Sequence, residues 1–312
     1  MKQFIVISIY FVLICFLFFV INKRLNREYF ENDRKNISVD IGNRLCLNFT
    51  HMLQSFLKKE DYHPEKTDIS FFKDFPTIQY DSSIHNKLIE KNIDLSYLDF
   101  FTKDISLWSI EEKKREEIWD IIHPIVHNTL NEMFQKNGIV KEVKYPVIHF
   151  RCSDVPFIKH FHYHLQKYSY FKDSLEEIQK EKNMKYDTVI LVSCSFHNAG
   201  KDNQEKCNIY IDSLKSYLES IGYKVIVQCD TNIDDFATIF YAPAVISTGG
   251  SFSFMSGYFG NGIFISEGHY QEEKEDTKCK TCKSWLKSGY SIDHKDVKDY
   301  YDTTSVIEKL QK

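Results

Sequence analysis

Five short stretches of the chain are apolar at successive positions and rich in Val and Ile: 145–150 (YPVIHF), 187–194 (DTVILVSC), 223–230 (YKVIVQCD), 243–248 (PAVIST) and 262–268 (GIFISEG). Runs this short and this apolar predict strands buried on both faces. Between them, 164–182, 204–221 and 234–241 read as helices. A further helix is predicted from Ser109 to Gly138. Ser109 is placed to cap it, Glu111 and Glu112 fill its first turn, Pro124 should bend it and Gly138 ends it. Doubly apolar strands alternating with helices imply an α/β fold, with parallel sheets covered on both faces. Ligands of such sheets bind at the carboxyl ends of the strands.

The N-terminus follows a different pattern. Phe4 to Ile21 carries no charge over 18 residues, about the minimum to cross a bilayer core. The run is long for a signal peptide and no small-x-small cleavage site follows it. It predicts an uncleaved single-pass anchor over 1–23. Lys23, Arg24 and Arg27 follow the run and only Lys2 precedes it, which by the positive-inside rule leaves the body in the cytosol. Two glycosylation sequons, Asn36-Ile37-Ser38 and Asn48-Phe49-Thr50, point the other way, because they have meaning only in a lumen. A lumenal body of the ER or Golgi type is the placement favoured here. Residues 24–67 are charged with few strand signals and predict a stem with some helix.

Composition narrows the classes. With 43% hydrophobic and 15% aromatic residues over 312 positions, the chain can build a real core. A net charge of -4 argues against a nucleic-acid partner or a polybasic membrane-surface role. Of eight cysteines, Cys15 lies in the anchor and seven lie beyond it, so pairing leaves at least one free thiol. Cys279 and Cys282 form one CxxC without a second ligand pair for zinc. A local disulfide or two loop thiols accounts for it better. His160, His162 and His164 would share a face only in a strand, and the stretch runs into a helix. They fit a wall of an acceptor cleft better than a metal site. His197 ends a strand in a polar loop, as a base or as an ordinary loop histidine.

Two strand ends carry the chemistry. The first, "HFRCSD" (149–154), sets His149, Arg151, Cys152 and Asp154 at the end of a buried strand. The second is "STGGSFSFMSG" (247–257). Gly249 and Gly250 let the backbone turn tightly and approach a ligand. A helix N-terminus there offers N–H groups to a phosphate, and Ser251 and Ser253 add hydroxyl donors. Plain capping by Ser251 explains the same residues. The loop lacks the GK[ST] ending of a Walker loop. It also lacks the closing glycine of GxSxG, which counts against a serine hydrolase using Ser251.

Together these stretches resemble the fucosyltransferase superfamily that includes α-1,2-fucosyltransferases and protein O-fucosyltransferases. "HFRCSD" resembles its HxRRxD motif, "VISTGGSFSFMSGYFGNGIFIS" (245–266) its SNSTFSWW-(A/G) loop and helix, and "DDFATIFYAPAVIST" (234–248) the lead-in. The resemblance covers Tyr145 to Glu267. It implies a GT-B architecture with two Rossmann-like lobes, 68–185 on the acceptor side and 186–312 on the nucleotide-sugar side. Val147–His149 and Val245–Ser247 would then lie in different lobes, facing one cleft. It further implies an inverting transfer of fucose or a similar sugar from a GDP-sugar to a glycan or glycoprotein acceptor, with no metal or other cofactor.

Carried over by position, Arg151 contacts the donor diphosphate and offsets charge on the leaving GDP. Gly249, Gly250, Ser251 and Ser253 form the phosphate loop, while His149 and Asp154 position the arginine and that loop. Departures from the pattern are Cys152 for the second arginine, Ser153 for glycine, and Phe254 and Met255 for the paired tryptophans. The alternative is a degenerate transferase that binds a nucleotide sugar or glycan without turnover. If the second arginine is an accessory, Cys152→Arg should be tolerated. Deleting Met1 to Lys23 should give a soluble protein with its folded body intact, read by circular dichroism of the purified product; loss of the native spectrum would count against a separate anchor.

Overall fold

The computed structural model describes residues 41–64, 75–93, 112–152, 154–158, 164–195, 200–267, 277–279 and 282–312. The expected anchor, Asn36, Ser153, His160, His162 and His197 lie outside them. Among the described residues no helix is long and apolar enough to cross a membrane.

Three helices come first: α1 (Ile41–Leu57), α2 (Ser82–Glu90) and α3 (Glu112–Lys136). Then strands and helices alternate. β1 (Val147–His149) leads through the single turn α4 (Val155–Ile158) and α5 (Tyr168–Lys182) to β2 (Thr188–Val192). α6 (Lys201–Ser220), β3 (Lys224–Gln228), α7 (Asn232–Phe240) and β4 (Ala244–Ser247) follow. The short α8 (Ser251–Ser253) continues as a π-helical turn (Phe254–Tyr258) into β5 (Ile263–Glu267). β6 (Thr277–Cys279), β7 (Ser284–Lys287) and α9 (Thr303–Leu310) complete the order. Each expected Val/Ile run contains its strand.

The strands form one seven-stranded sheet in the order β3-β2-β1-β4-β5-β7-β6. Neighbours are parallel except β6 and β7, which are antiparallel. The fold is α/β with a mostly parallel sheet, as expected, but the expected pair of lobes is corrected. β1 and β4 are direct neighbours, with Val147 opposite Val245 and His149 opposite Ser247. A division at 185/186 would part β1 from its hydrogen-bonded partner β2. The reason is physical: an apolar run marks a strand and leaves its neighbours open.

Alternation along the strands builds two cores. Val147, Val192, Val245 and Phe264 face α1, α2, α3 and α7. Ile148, Leu191, Ile246 and Ile265 face α5, α6 and α9. The expected stem over 24–67 is corrected for its described part, residues 41–64. Within it, α1 buries Leu45, Phe49, Met52, Leu53 and Phe56 completely. These recur three and four residues apart, the spacing of one helix face. Each is worth about 1.5–3 kcal/mol against leaving it in water. Flanking charge at 22–40 and 58–66 hides this stripe when composition is averaged over the stretch. Asn48 sits inside this helix, accepting from the Tyr62 hydroxyl and donating to Arg44 O at 3.0 Å. A glycan on that sequon would attach at Nδ2, the atom turned here to Arg44 O.

α3 runs through Pro124 and docks by a ring ladder. The Trp119 and His123 rings lie 3.9 Å apart and those of His123 and His127 5.3 Å apart, on residues spaced by four. His123 donates to Gly260 O at 3.2 Å and His127 to Phe259 O at 2.9 Å. Burial pushes the His123 imidazole down to about 4, so it docks as a neutral donor.

Disulfides pair Cys152 with Cys207, Cys194 with Cys229, and Cys279 with Cys282, and Cys46 is buried in the core of α1. The first corrects the expectation for Cys152→Arg. Cys152 is fully buried and ties the end of β1 to α6, so losing it would cost about 2–5 kcal/mol besides burying a charge.

At the start of α1, a Cβ on Gly42 would stand 2.4 Å from Phe252 N and 2.5 Å from Ser251 C. Gly42→Ala should therefore destabilise the protein by about 1–3 kcal/mol, read as a lower urea midpoint. An unchanged midpoint would mean that α1 does not seat on this loop.

Candidate functional site

From β1 the chain winds through β2 to β3 at one edge, then returns past β1 to β4 and β5. Loops leaving β1 and β4 therefore run apart, and the crevice between them is where open α/β sheets take ligands. Both motif loops sit there. Thr248 stitches them together: its N–H donates to His149 O at 3.1 Å, and its Oγ1 accepts from the Arg151 N–H at 2.8 Å.

Arg151 then lies across the glycine pair. Gly249 and Gly250 have φ of +98° and +94°, in the region that penalises a side chain. A Cβ on Gly250 would also stand 2.9 Å from Arg151 Nη1. The second glycine thus serves the turn and makes room for the guanidinium. Asp154 accepts from Arg151 Nη2 at 3.1 and 3.3 Å, in a pair 21% and 16% exposed. A partly exposed cation, fixed in place at the strand ends, suits an anion approaching the crevice.

The remaining expected residues brace this arrangement. Ser251 donates its hydroxyl to Asn43 Oδ1 on α1. Ser253 is fully buried, its hydroxyl 2.7 Å from Ser247 Oγ and 3.2 Å from Gly249 O. Both hydroxyls, expected to face a phosphate, are held by protein partners because the loop folds back on β4 and under α1. The His149 ring lies against Phe252, 5.6 Å between centroids, supporting the loop from beneath. The structure thus brings Arg151, Asp154, Gly249 and Gly250 together and sets Ser251, Ser253 and His149 around them.

Compared with protein-family models, curated proteins and solved structures, the chain gives no significant match.

Three contributors escaped the sequence reading. Thr248 stood in the quoted loop but lacked a pattern of its own. Gly42 and Asn43 belong to α1, and nothing local links them to a loop 208 residues away. His164, from the histidine triple, donates to Ile292 O at 3.1 Å and stacks on His294 at 4.5 Å. Among the described residues no group of three His, Cys, Asp or Glu could hold a metal ion.

One strand further along, Glu267 ends β5 almost fully buried. It accepts from the Tyr290 N–H at 2.9 Å and the Ser291 hydroxyl at 2.7 Å. Burial pushes its carboxyl up to about 7, against the pull of these donors. Nearby, the Tyr170 hydroxyl donates to Ser247 O at 2.8 Å, tying α5 to the end of β4.

The Glu267 pKa is raised on folding, so its contribution to stability is complete below about 4.5 and is lost as pH rises through about 7. Glu267→Gln should remove that slope. Relative to the parent, it should gain up to roughly 3 kcal/mol between pH 4 and pH 8, measured by urea unfolding at both. Equal slopes in the two proteins would place the carboxyl in its ordinary range.

Proposed function

We propose that the chain is a glycosyltransferase that anchors the diphosphate of a nucleotide sugar on Arg151. One observation carries this reading: the Arg151 guanidinium is laid over Gly250 at the point where the strand order reverses. Two loops distant in sequence are shaped for one another there, and the group they hold is a cation. In glycosyl transfer, charge grows on the leaving diphosphate, and a fixed cation beside it stabilises the transition state more than the ground state. The resemblance noted above makes a GDP-sugar the donor, fucose or a similar sugar the transferred group, and a glycan or glycoprotein the acceptor.

Three disulfides favour an oxidising compartment. With the apolar run at 4–21 they support a membrane-anchored protein with a lumenal body. A nucleotide-sugar-binding protein without turnover would use the same crevice, and only a transfer assay separates the two. The hydrolase reading lacks support, because Ser251 bonds to the carboxamide of Asn43, which is no base.

In a thermal-shift panel of nucleotides, GDP should raise the melting temperature of the parent, since a ligand of the native state stabilises it. Arg151→Lys should weaken the shift, having lost the planar fork that grips two oxygens. Arg151→Ala should abolish it and slow transfer by about a hundredfold or more, on the order of 3 kcal/mol. If Arg151→Ala binds GDP as tightly as the parent does, the arginine is a structural partner of Asp154 and the reading fails.

A further inference from the structure

The ends of β2 and β3 carry a second chemical feature, away from Arg151. The Ser193 N–H donates to Gln228 O at 3.1 Å, and the next residue on each strand end, Cys194 and Cys229, closes a disulfide. Cys194 is half-buried and Cys229 is exposed. The other two disulfides are enclosed: Cys152, Cys207, Cys279 and Cys282 are all buried. Asp235, in the first turn of α7, is 4% exposed. Its Oδ1 accepts from Gln228 Nε2 at 2.8 Å and from the Asp230 N–H at 3.2 Å. Its Oδ2 lies 3.6 Å from Cys194 Sγ.

A disulfide sulfur carries no proton. While the bond is intact, this buried oxygen faces an atom that has nothing to donate, a costly arrangement for a carboxylate. Reduction would give it a thiol donor. Burial raises the Asp235 carboxyl above its ordinary range, against the hydrogen bonds from Gln228 and the Asp230 N–H; the Asp230 charge adds to the rise and Lys141 opposes it. The Lys141 ammonium is itself engaged by Asp234 at 3.2 Å and by Thr238 Oγ1 at 3.2 Å.

We propose that Cys194–Cys229 is an exchange site for an external dithiol, with Asp235 as the acid–base residue of the inner sulfur. The thiolate of the dithiol attacks the exposed Cys229 Sγ and forms a mixed disulfide. The Cys194–Cys229 bond breaks, and Cys194 leaves as a thiolate that takes the proton of Asp235. The second thiol of the reductant then attacks the mixed disulfide, releasing Cys229 as a thiol and the reductant as its own disulfide. Two electrons pass from dithiol to protein. In reverse, the Asp235 carboxylate takes the Cys194 proton and generates the attacking thiolate. This activity is independent of whatever the crevice binds.

The test is reduction of the oxidised full-length chain by dithiothreitol across a pH series. Samples are quenched with iodoacetamide and the three disulfides are followed by peptide mass spectrometry. Cys194–Cys229 should open first. Its rate, normalised to the thiolate fraction of the reductant, should fall as pH rises through the ionisation of Asp235. Asp235→Asn should flatten that profile and slow opening on the acid side by about tenfold or more. The opening rate of Cys279–Cys282 should not change. A parent pair that opens no sooner than Cys152–Cys207, or an Asp235→Asn profile equal to that of the parent, overturns the proposal. Should the variant unfold, all three of its disulfides open together and the parent profile decides, a flat one overturning the proposal.

Discussion

The crevice depends on the hydrogen-bonded pairing of β1 with β4. It sets His149 opposite Ser247, so the two loops that follow start from neighbouring strand ends before they part. Thr248 then has both His149 O and the Arg151 N–H within reach. Only from that fixed start does the arginine side chain arrive over Gly250. Slipping the register by one residue would turn each side chain of β1 to the opposite face. Val147 and Ile148 would then exchange cores, so packing of the two helical layers holds the site in register.

Much of this was legible in the chain. Val- and Ile-rich runs marked β1, β2, β4 and β5 because strands covered on both faces need apolar side chains on both; β3 carries the same kind of run but lies at the sheet edge, where Ile226 and Val227 are exposed and the expected burial on both faces is corrected. β6 and β7 were not legible. β6 has three residues. β7 carries Ser284 and Lys287 at buried positions, and its lysine is tolerated because Glu177 pairs with it at 3.0 Å. Sequence polarity there reports an ion pair, not exposure. The neighbour relation of β1 and β4 was hidden for another reason: strand order is decided by crossovers, which leave no mark on the strands themselves.

Within the site, the arginine and the glycines were readable because each breaks the rule of its surroundings, a charge at a core strand's end and two positive-φ residues in succession. The serines misled, because a hydroxyl that faces a ligand and one that braces a loop look alike in sequence. Cys152 is clearer in the structure than in the motif. It stands beside Arg151 and ties the same strand end to α6, so a position that looked like a lost cation is a mechanical anchor for the cation that remains.

The seat of α1 on the glycine loop has a consequence for how the chain reaches this state. Asn43 and Ser251 are separated by 208 positions, so the crevice wall closes only when the intervening chain has been made. At synthesis rates of about 5–20 residues per second, that is a delay of roughly 10–40 seconds. Throughout it, the Leu45, Phe49, Met52 and Phe56 stripe of α1 lacks the sheet it covers. The helix that completes the site is thus made well before the loop on which it finds its place. Until then its apolar face is a natural target for chaperones.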